Sequence, residues 1–268
     1  GCRWFRRAAC LLVLAAFQAA AIPALAWGGE SGRALVAGST QTTDQVFAIS
    51  DDGMLYAWGG QQENWWNRAD TAYFGGLGTG SLQEKTPQMQ AVLANVSAVS
   101  ASNTHVLAVT RDGKLYGWGN GQFGNLGESL YGPAANYWPD MPTYLMSGVK
   151  AAAAGNKYSL VVLENGELWG YGYNGEGQLA MEADPLAYYP EGVKIMDDVA
   201  AVYAVGSWSE YCASFAIRTD GSLWSWGNNG IGRLGDGSEE ARARPIKILD
   251  HVVSRSQGVY SPYAVTED

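Results

Sequence analysis

One motif occurs four times along the chain, and its repetition predicts an all-β fold of the β-propeller type. The motif joins a turn dipeptide to a short strand of large apolar residues. The turn dipeptides are Asp52-Gly53, Asp112-Gly113, Asn165-Gly166 and Asp220-Gly221. Successive copies are 60, 53 and 55 residues apart. Self-similarity at periods of this order indicates a repeat architecture, and a unit of four short strands suits a propeller blade.

The turns and the strands after them support this fold class. An Asx-Gly dipeptide between two alternating runs predicts a hairpin, and its residues favour a type I′ turn. The strands that follow are Leu55–Trp58, Leu115–Trp118, Leu168–Tyr171 and Leu223–Trp226. Their alternation places aromatic residues on one face and leucine or a small residue on the other. Large side chains that face small ones allow neighbouring sheets to stack closely. We therefore assign these aromatic residues to the core between blades and not to a ligand site.

Residues 1–26 have the features of a secretory signal peptide. Arg3, Arg6 and Arg7 give a basic start, residues 8–22 are apolar, and Ala24-Leu25-Ala26 is a small-residue cleavage signal. The alternative is a membrane anchor, which is disfavoured because the apolar run is short for a spanning helix. We therefore expect cleavage before Trp27 and a protein that is secreted or at the cell surface, with no membrane association after cleavage.

The chain after the signal segment is acidic. It has 14 basic and 26 acidic residues, a net charge of −12. This charge argues against nucleic acid or an anionic membrane as a partner. Two of the three cysteines lie in the signal segment, so Cys212 has no partner in the mature chain. A buried free thiol is the favoured interpretation, and a reactive or intermolecular thiol is the alternative.

The order of segments predicts four blades and part of a fifth. Residues 27–45 are assigned as a lead-in with one apolar run, Ala34–Ala37, and residues 46–268 as propeller repeats. The final residues Ala264–Asp268 match Ala108–Asp112, but the turn glycine that should come next is missing. We therefore expect an incomplete ring that is truncated at its C-terminal end and belongs to a longer protein.

The repeats resemble those of the regulator of chromosome condensation family. The matching residues are Trp118-Gly119-Asn120 with Gly124-Asn125-Leu126-Gly127, Gly177-Gln178-Leu179, and Trp226-Gly227-Asn228 with Gly232-Arg233-Leu234-Gly235. His105 stands where the family often has histidine, and Tyr158 replaces it in the third repeat. The resemblance implies a seven-bladed propeller in the complete protein. Its nuclear founder is a nucleotide exchange factor for a small GTPase and binds chromatin, whereas one secreted bacterial relative is a β-lactamase inhibitor. The signal segment and the acidity favour the secreted bacterial kind.

The sequence offers little catalytic apparatus. His105 and His251 fall in different repeats, and no His, Cys and Asp residues have metal-ligand spacing. No nucleophile elbow or phosphate-binding loop is present. Asp51-Asp52-Gly53 resembles part of a calcium loop, but a turn is favoured. We predict that the protein is not an enzyme and has no cofactor or metal; catalysis by loop carboxylates is the alternative.

Connectivity places many aromatic residues at one end of the blades. In an up-and-down blade the first and third connections share one rim, and the Asx-Gly turns occupy the other. The candidate binding residues at or near the first and third connections are Trp65, Trp66, Tyr73, Tyr131, Tyr137, Trp138, Tyr188, Tyr189, Trp208 and Tyr211. Exposed Trp and Tyr are typical binding anchors, although some could pack locally under their own loops.

These observations predict a secreted, non-catalytic propeller that binds a protein or a cell-surface polymer through an aromatic loop rim. Two alternatives stay open at this point. One is a structural or adhesive repeat region of a larger exported protein. The other is an exchange factor like the nuclear founder of the family that the repeats resemble.

Overall fold

The structure is a computed structural model that describes residues 34–40, 43–60, 76–81, 85–128, 138–207, 210–257 and 262–266. The predicted signal peptide lies outside the described residues. Within them, the fold is all-β: four four-stranded antiparallel sheets follow one another along the chain, and a two-stranded sheet comes last. The predicted fold class is therefore confirmed, and we call the sheets the first to fourth blades and the partial fifth blade.

The strands of each blade are consecutive in sequence, and each pairs with the next. The first blade contains Ala34–Thr40 (β1), Thr43–Ile49 (β2), Leu55–Gly60 (β3) and Lys85–Leu93 (β4). The second contains Val96–Ala101 (β5), His105–Thr110 (β6), Lys114–Gly119 (β7) and Thr143–Ser147 (β8). The third contains Val149–Ala154 (β9), Tyr158–Leu163 (β10), Leu168–Asn174 (β11) and Asp184–Met196 (β12). The fourth contains Val199–Ser207 (β13), Glu210–Arg218 (β14), Leu223–Gly227 (β15) and Arg242–Leu249 (β16). Val252–Gln257 (β17) and Pro262–Thr266 (β18) form the partial fifth.

The first blade begins earlier than the sequence pattern predicted. Residues 27–45 were expected to be a lead-in, but β1 lies within this segment and pairs with β2 from Ala34↔Ile49 to Thr40↔Thr43. The short apolar run Ala34–Ala37 belongs to this strand. The prediction that the repeats start at residue 46 is therefore wrong, because one apolar run among small polar residues is a weak strand signal.

The Asx-Gly turns form hairpins, but not of the predicted type. Each turn glycine has a positive φ, between 73° and 87°, while no Asp or Asn before it does. A type I′ turn requires positive φ at both central residues. The N–H of Gly113 donates to the carbonyl of Thr110 (3.0 Å), the bond of a type I turn followed by a left-handed glycine. The Asx side chain favours this form: Asp220 Oδ1 accepts the N–H of Ser222 (2.9 Å).

The first strand of each later blade starts on the turn of the blade before it. The N–H of Val96 donates to the carbonyl of Gly53 (2.8 Å). The same bond recurs from Val149 to Gly113 (2.9 Å), from Val199 to Gly166 (2.9 Å) and from Val252 to Gly221 (3.0 Å). The residue before each of these strands has positive φ: Asn95, Gly148, Asp198 and His251. Each blade is therefore placed by its predecessor through one repeated backbone contact.

The hydrophobic core lies between neighbouring blades. Trp118 is fully buried and packs with Phe47, Leu55 and Leu77 of the first blade. Trp226 is also fully buried and lies in the core between the third and fourth blades. The assignment of both tryptophans to the inter-blade core is confirmed. No helix in the described part of the chain is long and apolar enough to cross a membrane.

Candidate functional site

The candidate site is the rim formed by the first and third connections of the blades. Its predicted residues Trp65, Trp66, Tyr73, Tyr131, Tyr137 and Trp208 lie outside the described residues. Trp138 lies in the third connection of the second blade, as predicted. Its indole N–H donates to Asn120 Oδ1 (3.0 Å), and the next carbonyl, of Pro139, accepts the N–H of Gly119 (2.8 Å). The end of this loop is therefore held against the end of β7.

Three predicted rim residues lie in strands and not in loops. Tyr188 and Tyr189 belong to β12, where they pair with Tyr173 and Gly172. Pairing continues as far as Asn174 and Asp184, so this outer strand includes residues that the sequence assigned to the third connection. Tyr189 is partly buried against the core between the third and fourth blades. Tyr211 is the second residue of β14, with a φ of 78°.

A cluster of aromatic rings at this rim surrounds one lysine. Lys157 comes from the first connection of the third blade, and its Nζ lies 4.9 Å from the Phe123 ring centroid and 5.5 Å from that of Tyr173. The ring of Tyr188 is 6.1 Å from that of Phe123 and 5.8 Å from that of Tyr173. Phe123 belongs to the second blade and the other three to the third. We call these four residues the rim cluster.

The rim cluster holds a partly buried lysine against two aromatic rings. Partial burial lowers the pKa of Lys157, while the faces of two rings attract its charge. Phe123 is buried, whereas the Tyr188 side chain is 38 % exposed. The cluster therefore offers an exposed aromatic ring that packs on a buried one, an arrangement typical of binding surfaces.

His105, also near the rim, has a structural role between blades. Its Nε2 lies 2.7 Å from Ser159 Oγ, and that hydroxyl donates to the carbonyl of Asn125 (2.6 Å). Nε2 is therefore the donor, and Nδ1 accepts from the hydroxyl of Thr104 (2.9 Å). This neutral tautomer fits the site, because burial lowers the pKa of His105 to about 3.

The next blade repeats this bond with different residues. Tyr158 occupies the position of His105, since they pair with Gly172 and Gly119 respectively. Its hydroxyl donates to the carbonyl of Ala213 (2.9 Å) and accepts from Ser214 (3.2 Å). The position where the family often has histidine therefore has a structural role, because its side chain joins one blade to the next.

Cys212 is buried, as the favoured sequence interpretation predicted. Burial raises the pKa of its thiol to about 12, so the thiolate is not formed near neutral pH. Among the described residues, no three His, Cys, Asp or Glu side chains are placed to hold a metal ion. Asp51-Asp52-Gly53 is a hairpin turn, and Arg111 Nη2 donates to the carbonyl of Asp51 (2.8 Å).

Exposed apolar side chains extend the rim beyond the predicted residues. Leu186 in β12 is 86 % exposed, and Ile231 in the third connection of the fourth blade is 52 % exposed. Neither residue is aromatic, so the pattern of Trp and Tyr residues along the chain does not indicate them. A usable signal exists: Phe123 and Ile231 both directly precede the first glycine of a Gly-x-Leu-Gly segment, at the tip of the connection.

Sequence comparisons agree with this architecture. Models described as the regulator of chromosome condensation (RCC1) repeat match residues 96–125 and 149–178, and residues 112–162 and 220–261. The chain is 30 % identical over 229 residues to the ultraviolet-B receptor UVR8 of Arabidopsis thaliana, covering 82 % of this chain and 48 % of UVR8. The chain thus spans about half the length of the curated relatives it matches.

Solved structures show the same fold. Human WBSCR16 matches with a TM-score of 0.70 and 21 % identity, over 90 % of this chain and 59 % of WBSCR16. Prp20p of Saccharomyces cerevisiae matches with a TM-score of 0.64 and 20 % identity, over 88 % of this chain and 56 % of Prp20p. Fold and site therefore define a β-propeller repeat protein. The chain belongs to the family of regulator of chromosome condensation repeat proteins.

Proposed function

We propose that this protein is a non-catalytic propeller that binds a partner protein through the rim of its first and third connections. The observation that carries the proposal is the rim cluster together with exposed apolar side chains on the same rim. Leu186, Tyr188 and Ile231 offer apolar surface at the ends of two blades. Exposed aromatic residues are frequent anchors of protein interfaces, and apolar side chains around them help to exclude water.

The geometry of the rim cluster favours a protein ligand. Phe123, Tyr173 and Lys157 hold one another in place below Tyr188, so little side-chain entropy remains to be lost on binding. Preorganised anchors of this type suit a folded partner surface. The structurally similar propeller Prp20p binds Gsp1p and histones. This is a property of Prp20p, and it supports only the idea that a propeller of this fold can bind proteins.

Export from the cell is part of the proposal and rests on the sequence of residues 1–26. A basic start, an apolar run and a small-residue cleavage signal together suit a secretory signal peptide. Sequencing the N-terminus of protein recovered outside the cell should give Trp27 as the first residue. A first residue within the apolar run or before it would contradict export by cleavage at Ala26.

Truncation of the exposed anchors tests the binding role. The triple variant Leu186→Ala/Tyr188→Ala/Ile231→Ala should lose capture of the partner from the extracellular fraction. Each anchor should contribute about 2 kcal/mol or more, roughly thirtyfold in affinity, as interface hot spots do. The measurement is quantitative mass spectrometry of captured proteins, followed by calorimetry with the partner that the wild type enriches.

A matched control variant tests whether binding depends on the position of the apolar side chains at the rim or only on their apolar character. Met89, Tyr144 and Leu249 are also large and exposed, but they lie in the parts of β4, β8 and β16 that pair away from the rim end of the neighbouring strand. Their triple alanine variant should capture the partner like the wild type. Equal capture by the rim variant, or equal loss by both variants, would contradict the rim as the binding surface.

A further inference from the structure

A cleft of about 230 Å³ lies between the second and third blades, and none of the four rim-cluster residues lines it. Its apolar wall is formed by Leu107, Leu115, Leu126, Leu145, Val161 and Tyr171. An apolar cavity of roughly 150 Å³ is enough to bind benzene, so this cleft has room for a larger aromatic group.

The equivalent space at two neighbouring blade interfaces is filled by a tryptophan side chain. Leu107, Leu115 and Leu126 correspond to Phe47, Leu55 and Leu77 in the first blade. They correspond to Leu160, Leu168 and Leu179 in the third blade. In those two blades the wall is covered by a buried indole of the next blade, from Trp118 and Trp226 respectively. The cleft therefore lies where the other two interfaces hold a tryptophan side chain.

Tyr171 covers the wall of the second blade only in part. It occupies the position of Trp118 and Trp226 in its strand, but it is only partly buried. Its ring lies against Gly192 of its own blade, where an added Cβ would be 2.4 Å from the ring. The indole N–H groups of Trp118 and Trp226 donate to the carbonyls of Gly76 (3.0 Å) and Gln178 (2.8 Å). A phenol at this position supplies no such N–H group.

The polar groups of the cleft indicate the chemistry of its occupant. Asn125 is 1 % exposed and lines the cleft, and its Oδ1 accepts no hydrogen bond. A buried acceptor without a partner is costly, so an N–H donor would complement it. Glu128 and Glu191 also line the cleft, and both are exposed carboxylates that favour a cation near the entrance.

We infer that this cleft is a second protein-binding site, which receives the tryptophan side chain of a partner segment that carries lysine or arginine beside that tryptophan. The indole covers the leucine wall as Trp118 and Trp226 do at the neighbouring interfaces. Its N–H group faces the acceptors of Asn125, and the basic neighbours lie by Glu128 and Glu191. This inference extends the proposed protein-binding role from the rim anchors to a cleft between two blades, which includes part of the third connection of the second blade.

The probe is the peptide acetyl-Gly-Lys-Trp-Lys-Gly-amide with a 5-fluorotryptophan, followed by fluorine NMR during titration with the full chain. Saturable binding to the wild type is expected, with competition by the unlabelled peptide and none by its Trp-to-Ala counterpart. Tyr171→Trp should fill the cleft from within, weakening binding at least about tenfold and raising the midpoint of thermal unfolding. Tyr171→Phe leaves the cleft open and should bind like the wild type.

Surface variants keep the test independent of any effect on folding. Glu128→Gln/Glu191→Gln should weaken binding about fivefold and reduce its salt dependence, while Glu239→Gln/Glu240→Gln should change neither. The rim triple variant should bind the peptide normally, so failure of the rim proposal and failure of this one are distinguishable. The inference is overturned if the wild type shows no saturable binding, if Tyr171→Trp binds as tightly as the wild type, or if the rim variant alone loses binding.

Discussion

At the scale of single residues, the inter-blade hydrogen bonds show how one position accepts different side chains. His105, Tyr158 and Gln45 pair with equivalent glycines in their blades, and all three are buried. His105 and Tyr158 each contact a serine of the next blade. In the fourth blade Ala213 pairs with the equivalent Gly227, so this hydrogen bond is not needed at every junction, and imidazole chemistry is not part of it.

Burial of neutral His105 predicts a pH-dependent stability. Its pKa is about 3 in the folded state, against about 6.5 in an unfolded chain. Above pH 6.5 both states are neutral, and between about pH 6.5 and 3 only the unfolded state gains the proton. The free energy of unfolding should therefore fall with falling pH in this window, by at most about 1.4 kcal/mol per pH unit for this residue.

His105→Gln isolates the contribution of the imidazole. Glutamine occupies the equivalent position in the first blade, and it keeps an N–H donor without titrating. Urea unfolding between pH 4 and pH 7 should show a smaller slope of stability against pH in this variant. Identical slopes for variant and wild type would contradict a neutral buried imidazole.

At the scale of elements, the junction between blades depends on one left-handed residue. Asn95, Gly148, Asp198 and His251 occupy this position with φ between 57° and 75°. An added Cβ at Gly148 would meet nothing within 4 Å, so only backbone strain acts there. Asn and Asp tolerate this conformation, whereas β-branched residues do not.

Substitutions at Gly148 therefore separate strain from contact. Gly148→Asn should change stability by less than about 0.5 kcal/mol, because asparagine adopts positive φ at little cost. Gly148→Val should cost more than about 1 kcal/mol in the same chemical denaturation experiment. Equal losses for the two variants would show that the junction does not require a left-handed residue.

The inner elements of the blades were predictable from the sequence, and the outer strands were not. Turn dipeptides and alternating strands marked β6, β7, β10 and β11, because one face of each strand is fully buried. The outer strand β12 is mostly exposed or partly exposed along its length, so it lacks the alternation that predicts a strand. Pro87, Pro190 and Pro245 lie in outer strands, where an edge tolerates proline.

The candidate sites were predictable only in part, for a related reason. Connectivity assigned Trp138 to the third connection of the second blade, and it lies between β7 and β8. The rim cluster brings Phe123 and Lys157 together across a blade interface, a contact that composition and period do not specify. The cleft depends on the side-chain direction of Tyr171, which Gly192 permits and which no sequence pattern indicates.

At the scale of the whole molecule, stability depends on the interfaces between blades. Trp118→Ala and Trp226→Ala should each cost about 3–5 kcal/mol, because each removes a fully buried indole that joins two sheets. Trp169→Ala is the matched control, since that side chain is only partly buried and its N–H donates to Glu167 (3.1 Å). Thermal and urea unfolding should rank the control as the mildest of the three. A Trp118 variant as stable as the control would refute the inter-blade role.

The bond from each turn glycine to the next inner strand has a consequence for how such chains arise. Val96, Val149, Val199 and Val252 each use a carbonyl that the preceding blade presents in the same way. A duplicated blade that keeps this spacing therefore finds the turn-glycine carbonyl of the preceding blade as the acceptor for its first strand. Its own turn glycine presents the same carbonyl to the blade that follows. The backbone contact that places one blade on another is therefore the same at each of these junctions. Tandem gene duplication followed by drift at the loop tips gives such a protein new surfaces while its junctions stay the same.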